Sequence, residues 1–145
     1  MPMACAVPPG RSAAGVSCRL RLALAAGLAG GSIEDATGDT ADPIFPFEHA
    51  VERVRAAAEA VRGQPFLLTA RAENFLWGCP DLDDAIARLQ AFADAGADVL
   101  FAPGLRDLAA IRKVCASVDR PVNVVMGLTG ARFTVAELAE SGGKR

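Results

Sequence analysis

Two short apolar runs in this chain end abruptly in charged side chains. The first extends from Leu28 to Ile33 and is followed by Glu34 and Asp35. The second covers about residues 66–70 and is followed by Arg71. An amphipathic helical pattern separates the two runs. In parallel α/β proteins, side chains at the carboxyl ends of the strands carry the chemistry. The sequence therefore predicts a parallel α/β fold with a candidate site at these two strand ends.

Alternating helix and strand patterns continue along the whole chain from Leu20. The predicted helices cover about residues 20–26 and 47–62, a segment capped by Asp81, a segment from Leu108 to Val118, and a last helix that opens on the Thr134–Glu137 capping box. The predicted strands cover about residues 28–33, 66–70, 99–101 and 121–126. The order is that of repeated (β/α) units.

The predicted strands are apolar throughout rather than alternating, which is typical of a sheet covered on both faces. Four such strands suit a small open sheet or half of an eight-stranded barrel, and the pattern alone leaves both open. Residues 1–19 are interpreted as a disordered leader, because they lack periodicity and are rich in proline. The run 19–26 has features of a weak signal peptide, but it continues directly into the first strand, so we interpret it as a helix.

Composition excludes several classes of partner. The net charge is −2 with no basic stripe, so nucleic acid is not an expected partner. No apolar run reaches the length of a membrane span, so a membrane is not expected either. The four cysteines show no Cys-x-x-Cys spacing, which argues against a zinc site and favours reduced thiols in the cytoplasm.

Three strand residues are candidates for chemistry. Glu34 and its neighbour Asp35 should point to opposite sides of an extended segment, so one of them could ligate a cation such as Mg²⁺; the alternative is a solvated strand end with a helix-capping Asp35. Arg71 could clamp a carboxylate or a phosphate, or simply form a surface ion pair with Glu73. Asn123 could contact substrate, although a satisfied buried amide is the more common role.

Four ordered phrases of the chain together resemble the isocitrate lyase/phosphoenolpyruvate mutase superfamily. They are Ala-Ala-Gly-Leu-Ala-Gly-Gly-Ser-Ile-Glu-Asp (25–35), Leu-Thr-Ala-Arg-Ala-Glu-Asn (68–74), Ala-Phe-Ala-Asp-Ala-Gly-Ala-Asp-Val-Leu-Phe-Ala-Pro-Gly (91–104) and Arg-Pro-Val-Asn-Val (120–124). Their order and spacing fit the family from about Leu22 to Leu138. Four phrases in sequence are far more specific than any one of them.

The resemblance implies a (β/α)8 TIM barrel that binds Mg²⁺ and makes or breaks a C–C or P–C bond through an enolate-like intermediate. Implied substrates are small oxo acids, carboxylates or phosphonates, and implied assemblies are homo-oligomers. Glu34 matches the family's glutamate at the water shell of the metal, and Arg71 matches the arginine that holds the substrate carboxylate. Asn123 falls within the last matched phrase as a candidate substrate-binding residue.

Three departures from the family pattern affect the expected activity. The loop 36–42 has no Cys, Lys or His where the lyases have Lys-Lys-Cys-Gly-His, so we expect the phosphonomutase-like branch rather than cysteine-dependent lyase chemistry. Pro103 stands where lyases tend to have Glu and mutase-like members His. The match resembles barrel strands four to seven only, so we expect a barrel incomplete at both ends, without the paired aspartates of an earlier strand.

Three functional hypotheses follow. The chain is an enzyme by descent, with Glu34 and Arg71 in its site; or a truncated, catalytically silent fragment of such an enzyme; or a non-catalytic α/β binding module. A half barrel leaves two unpaired strand edges, so low stability or association with another chain is expected of it.

Overall fold

The helices and strands follow one another in the predicted alternating order. The computed structural model describes residues 10–127, 130 and 132–143. Its helices are α1 (Ala13–Ala25), α2 (Phe47–Ala60), α3 (Leu82–Asp94), α4 (Leu108–Ser117) and α5 (Val135–Glu140). Its strands are β1 (Gly30–Glu34), β2 (Leu67–Arg71), β3 (Val99–Phe101) and β4 (Val122–Asn123). The predicted α/β class is confirmed.

The strands form one parallel sheet in the order β1-β2-β3-β4. Glu34 pairs in register with Arg71, Arg71 with Phe101, and Phe101 with Asn123. These four residues therefore lie in one row across the carboxyl end of the sheet. Because residues in register on parallel strands point to the same face, their side chains share one face.

Side-chain caps begin the helices where the sequence predicts them. The Asp81 carboxylate accepts the N–H of Asp84 at the start of α3 (3.0 Å). At α5, the Thr134 hydroxyl accepts the Glu137 N–H, and the Glu137 carboxylate accepts the Thr134 N–H. These bonds satisfy backbone donors that a helix start would otherwise leave free, so each helix begins at a fixed residue.

Helices cover only one face of the sheet. Leu68, Ala70 and Leu100 are fully buried on that face, where they pack against α1, α2 and α3. On the other face, Leu67 remains 56% exposed. The expectation that both faces are covered is therefore wrong for the described part of the chain: the covered face is apolar, and the face without a helix layer carries polar side chains such as Ser32 and Thr69 among apolar ones.

Two boundaries differ from the predicted ones. Helix α1 begins at Ala13 rather than near residue 20, because Ser12 caps it and Val16 packs with Leu20 in the core. The predicted disordered leader is therefore wrong for residues 13–19, and residues 1–9 lie outside the described residues. Strand β4 is limited to Val122–Asn123 instead of residues 121–126. Among the described helices, none is long and apolar enough to cross a membrane.

Candidate functional site

The row of Glu34, Arg71, Phe101 and Asn123 brings together all three residues that the sequence singled out. The helix-free face of the sheet forms the wall of an open cavity of about 650 Å³, whose lining includes Ser32, Thr69 and Asn123. Of the row, only Asn123 lines this cavity, which otherwise follows the amino-terminal and middle parts of the strands; the row itself lies at their carboxyl ends. This is the position that sequence reasoning assigned to the site.

Arg71 is the centre of this row. Its Nε donates to Glu73 Oε1 at 2.7 Å, and its Nη2 lies 3.7 Å from Glu34 Oε2. The guanidinium carbon sits 5.3 Å from the centre of the Phe101 ring. The terminal nitrogens, Nη1 and Nη2, make no hydrogen bond to a described residue. The guanidinium is thus held by a hydrogen bond at its inner nitrogen, while its outer edge faces the Glu34 carboxylate without a hydrogen bond and keeps N–H donors for a ligand anion.

Arg71 and Glu73 form the ion pair of the alternative interpretation, but not at the surface. The Glu73 side chain is only 1% exposed and that of Arg71 is 26% exposed, so the pair is anchored below the surface. A buried carboxylate with one short bond to a guanidinium restricts the rotamers of both side chains. The ion pair therefore supports a positioned Arg71 and does not compete with a ligand-binding role for it.

Glu34 and Asp35 point to opposite sides of the chain, as the extended backbone requires. The Glu34 side chain is 51% exposed and faces Arg71. Asp35 is buried at 1% exposure and pairs with Arg88 of α3 at 3.1 Å. Of the alternative, a solvated strand end with a helix-capping Asp35, the strand end is half-exposed at Glu34, but the cap is wrong, because the Asp35 carboxylate is buried and bound to Arg88.

The described residues do not build a metal centre around Glu34. No group of three or more His, Cys, Asp or Glu side chains within residues 10–127, 130 and 132–143 could hold a metal ion. Glu34 offers one carboxylate, and the positive charge of Arg71 lies beside it. Carboxylate sites for Mg²⁺ combine one or two protein carboxylates with several waters and substrate oxygens. Glu34 as a Mg²⁺ ligand stays a prediction.

Asn123 is half-buried on β4 and lines the open cavity. Its amide makes no hydrogen bond to any residue in the described part of the chain. The alternative of a satisfied, buried amide is therefore not what the structure shows. An amide with free donor and acceptor groups suits contact with a carboxylate or a carbonyl oxygen.

Burial dominates the electrostatics of the carboxylates behind the site. It raises the pKa of Glu73 above its ordinary value of 4.5, against the opposing hydrogen bond and charge of Arg71. It likewise raises the pKa of Asp35, against its hydrogen bond from Glu73 and the charge of Arg88. Both shifts have the same sign, because a buried carboxylate loses its hydration.

The raised pKa of Glu73 predicts how stability depends on pH. The folded chain keeps the Glu73 proton to a higher pH than the unfolded chain, so this group stabilises the fold below pH 4.5 and loses that contribution as pH rises through the raised pKa. Glu73→Gln should therefore gain stability relative to the parent as pH rises from about 4 to about 7. Urea unfolding of the variant and the parent across that pH range measures the difference between their free energies of unfolding.

The exposed Glu59→Gln on α2 is the matched control for this measurement. The pH dependence of its difference from the parent measures the effect of removing an exposed carboxylate, and is subtracted from that of Glu73→Gln. A Glu73→Gln difference that, after this subtraction, stays flat or falls as pH rises would contradict the raised pKa of Glu73.

Sequence reasoning missed the buried groups behind the row. Arg88 donates to Asp35, to the Phe45 carbonyl (2.9 Å) and to Asp84 (2.7 Å). The available signal was position: Arg88 lies within the apolar arc of α3, between buried Ala85 and buried Phe92. A charged residue on an apolar helix face predicts a buried partner, but not which one.

Comparison with known proteins places this geometry in a family. The family model described as phosphoenolpyruvate phosphomutase matches residues 9–145. The chain is 34% identical over 137 residues to 2-methylisocitrate lyase of Escherichia coli K12, which covers 89% of this chain and 46% of that protein. It is 34% identical over 103 residues to oxaloacetate decarboxylase of Rhodopseudomonas palustris BisA53, which covers 68% of this chain and 35% of that protein.

A solved structure is similar over nearly the whole chain. It is the crystal structure of a Burkholderia cenocepacia J2315 protein provisionally described as a lyase/mutase, with a TM-score of 0.91 and 53% identity, covering 94% of this chain and 50% of that one. The chain thus spans about half the length of the first relatives it matches. With a family model matched over 9–145, the chain belongs to the phosphoenolpyruvate phosphomutase family of the isocitrate lyase/phosphoenolpyruvate mutase superfamily.

Proposed function

We propose that this chain supplies the carboxylate-recognition part of an active site that makes or breaks a C–C or P–C bond of a small oxo acid, carboxylate or phosphonate. The observation that carries the proposal is the Arg71 guanidinium: Glu73 holds its Nε at 2.7 Å, and its terminal nitrogens make no hydrogen bond to a described residue. A guanidinium fixed in this way binds a carboxylate through two parallel hydrogen bonds. The names of the relatives, which act on methylisocitrate and oxaloacetate, fit such a substrate.

The proposed roles follow from placement in the row. Arg71 binds the substrate carboxylate and fixes its orientation. Asn123, two strands away on the same face, hydrogen-bonds a second oxygen of the substrate. The Phe101 ring, which lies between them in register, forms an apolar floor that keeps the substrate carbon chain off the sheet. Together the three residues orient an acid, so that the reacting bond points away from Arg71.

Glu34 is proposed as the carboxylate nearest to the cofactor expected for this family, Mg²⁺. That ion would stabilise an enolate-like charge as a Lewis acid. Since Glu34 alone does not make a metal site, no step of the proposal depends on a contact between magnesium and this chain. The cytoplasmic location, the homo-oligomeric assembly, the isomerase class and the alternative of a truncated fragment are likewise proposals.

The test is binding and turnover by the full chain. Oxalate, the smallest dicarboxylate, serves as the probe in titration calorimetry, and oxaloacetate, methylisocitrate and phosphonopyruvate with Mg²⁺ are followed by NMR. Arg71→Lys keeps the charge but loses the planar fork, so we expect its oxalate affinity to fall about tenfold or more. Arg62→Lys, exposed beyond the end of α2, is the matched control and should bind as the parent does.

The outcomes separate the hypotheses. Turnover of one of the three acids, lost in Arg71→Lys, supports an enzyme and contradicts the silent fragment. Oxalate binding without turnover supports a carboxylate-binding module, a second candidate favoured by the single carboxylate at the row. Failure of the parent chain to bind oxalate, or equal binding by Arg71→Lys, would refute the proposed role of Arg71.

A further inference from the structure

Every polar group of Asp35 forms a hydrogen bond, either to the segment that carries Arg71 or to an element that supports that segment. Its N–H donates to the Arg71 carbonyl at 3.2 Å, and its Oδ1 accepts the Glu73 N–H at 2.8 Å. Asp35 therefore holds the backbone of residues 71–73 at two points, one on each side of Ala72. Its side chain is 1% exposed and lies away from the Glu34 side of β1, so it cannot touch a substrate itself.

Arg88 fixes Asp35 from the helix layer. The Arg88 Nη1 atom donates to Asp35 Oδ2 at 3.1 Å and to the Phe45 carbonyl at 2.9 Å, while its Nε donates to Asp84 at 2.7 Å. The Asp35 carbonyl in turn accepts the Phe45 N–H at 2.8 Å. Because α3, the loop after β1 and the end of β2 all meet at these two side chains, none of the three can shift without breaking a buried, charge-assisted bond.

The next contact links this network to the site. Glu73, whose N–H is bound by Asp35, has a buried carboxylate that accepts the Arg71 Nε at 2.7 Å. The direction of the Arg71 guanidinium is thus set by the place of the Glu73 backbone. A shift of that backbone would tilt the guanidinium away from the row by a comparable distance, and small misplacements of a binding group weaken a two-point contact strongly.

We infer that Asp35, together with Arg88, is a positioning residue: it fixes the Glu73 turn so that Glu73 aims Arg71 at the ligand. The inference rests on the proposed function of Arg71 as a carboxylate-binding residue. It assigns a functional consequence to a buried ion pair that the substrate does not touch. Asp35 acts only through Glu73 and Arg71.

The test uses the isosteric variant Asp35→Asn in the full chain, with two measurements. The first is the solvent-exchange rate of the Arg71 Nε–H group by NMR, which reports the Glu73 bond directly and needs no ligand. The second is the dissociation constant for oxalate. We expect the exchange rate and the dissociation constant each to rise about tenfold or more, because a hydrogen bond to a charged group is stronger than a neutral one and its loss leaves a buried group unpaired.

Asp98→Asn is the matched control. The Asp98 carboxylate accepts the Leu68 N–H at 2.9 Å, so it makes the same kind of bond to β2 at the other end of that strand. Its loss should loosen the fold without moving Arg71, and both measurements should stay within about twofold of the parent. If Asp98→Asn raises both as much as Asp35→Asn does, general loosening explains the effect and the positioning role is wrong.

The remaining outcomes are also decisive. Unchanged exchange and affinity in folded Asp35→Asn would overturn the inference. If circular dichroism shows that Asp35→Asn is unfolded, both measurements are made on Arg88→Lys instead. A rise of less than about threefold in the exchange rate and in the dissociation constant of that variant would overturn the inference. If the parent binds no oxalate but Asp35→Asn still raises the exchange rate of the Arg71 Nε–H, the proposed function is refuted, while the effect of Asp35 on the Arg71–Glu73 bond is supported.

Discussion

Arg88→Met is expected to lower the free energy of unfolding by about 3–5 kcal/mol, because it leaves the Asp35 carboxylate buried without its ion-pair partner. The substitution keeps most of the apolar stem of the side chain, so the loss comes chiefly from the guanidinium and its bonds. It also leaves the Phe45 carbonyl without the donor that it has at 2.9 Å. Chemical unfolding monitored by circular dichroism measures the change.

Two further variants make this expectation specific. Asp35→Asn/Arg88→Met should lose less than the sum of the single variants, by about 0.5–3 kcal/mol, because the double variant no longer buries an unpaired charge. Lys113→Met breaks an ion pair of similar length, 2.7 Å to Asp83, whose side chains are 54% and 84% exposed. Exposed pairs contribute about 0–1 kcal/mol. If Arg88→Met costs no more than Lys113→Met, the Asp35–Arg88 pair does not stabilise the fold.

Phe92→Ala is expected to lower the free energy of unfolding by about 3–5 kcal/mol. Phe92 is fully buried and belongs to the core cluster that joins α2, α3 and the helix-covered face of the sheet. Much of that cluster is alanine, so few large side chains could move in to fill the cavity. Since domains of this size are stable by about 5–15 kcal/mol, the variant should unfold at a much lower urea concentration than the parent.

Leu22→Ala serves as the control for the core substitution. Leu22 is 57% exposed on α1, and its truncation should change stability by no more than about 0.5 kcal/mol. A loss below about 1 kcal/mol in Phe92→Ala would mean that the residues around Phe92 close the cavity, or that Phe92 is not at the centre of the core.

Local sequence signals were enough to predict the order of the elements and the meeting of Glu34 with Arg71. Each helix cap depends on residues three positions apart, as at Asp81 and Thr134, so a local pattern reveals it. The parallel sheet then brings strand ends together, which is why two runs ending in Glu34 and Arg71 predict neighbours.

The network behind Arg71 was beyond sequence reasoning, because its bonds join distant positions. Asp35 meets Arg88 across 53 residues and the Glu73 N–H across 38. Composition assigns such residues to solvent, since charged side chains are rarely fully buried. The early start of α1 was missed for another reason: its first turn is built of small residues such as Ala13 and Gly15, which show no apolar period although Gly15 is buried.

Because the candidate site residues lie in one row of the sheet, their arrangement is sensitive to deletions within a strand and tolerant of changes in the neighbouring loop. Side chains alternate along a strand, so deleting one residue within β2 would turn Arg71 from the open face towards the helix layer. By contrast, the loop 36–44 starts one residue beyond Asp35, beside the same strand end, and lengthening a surface loop twofold costs only about 0.6 kcal/mol. Insertions and deletions can therefore accumulate in this loop during evolution and reshape the surface beside the row, while the Arg71 guanidinium stays in place.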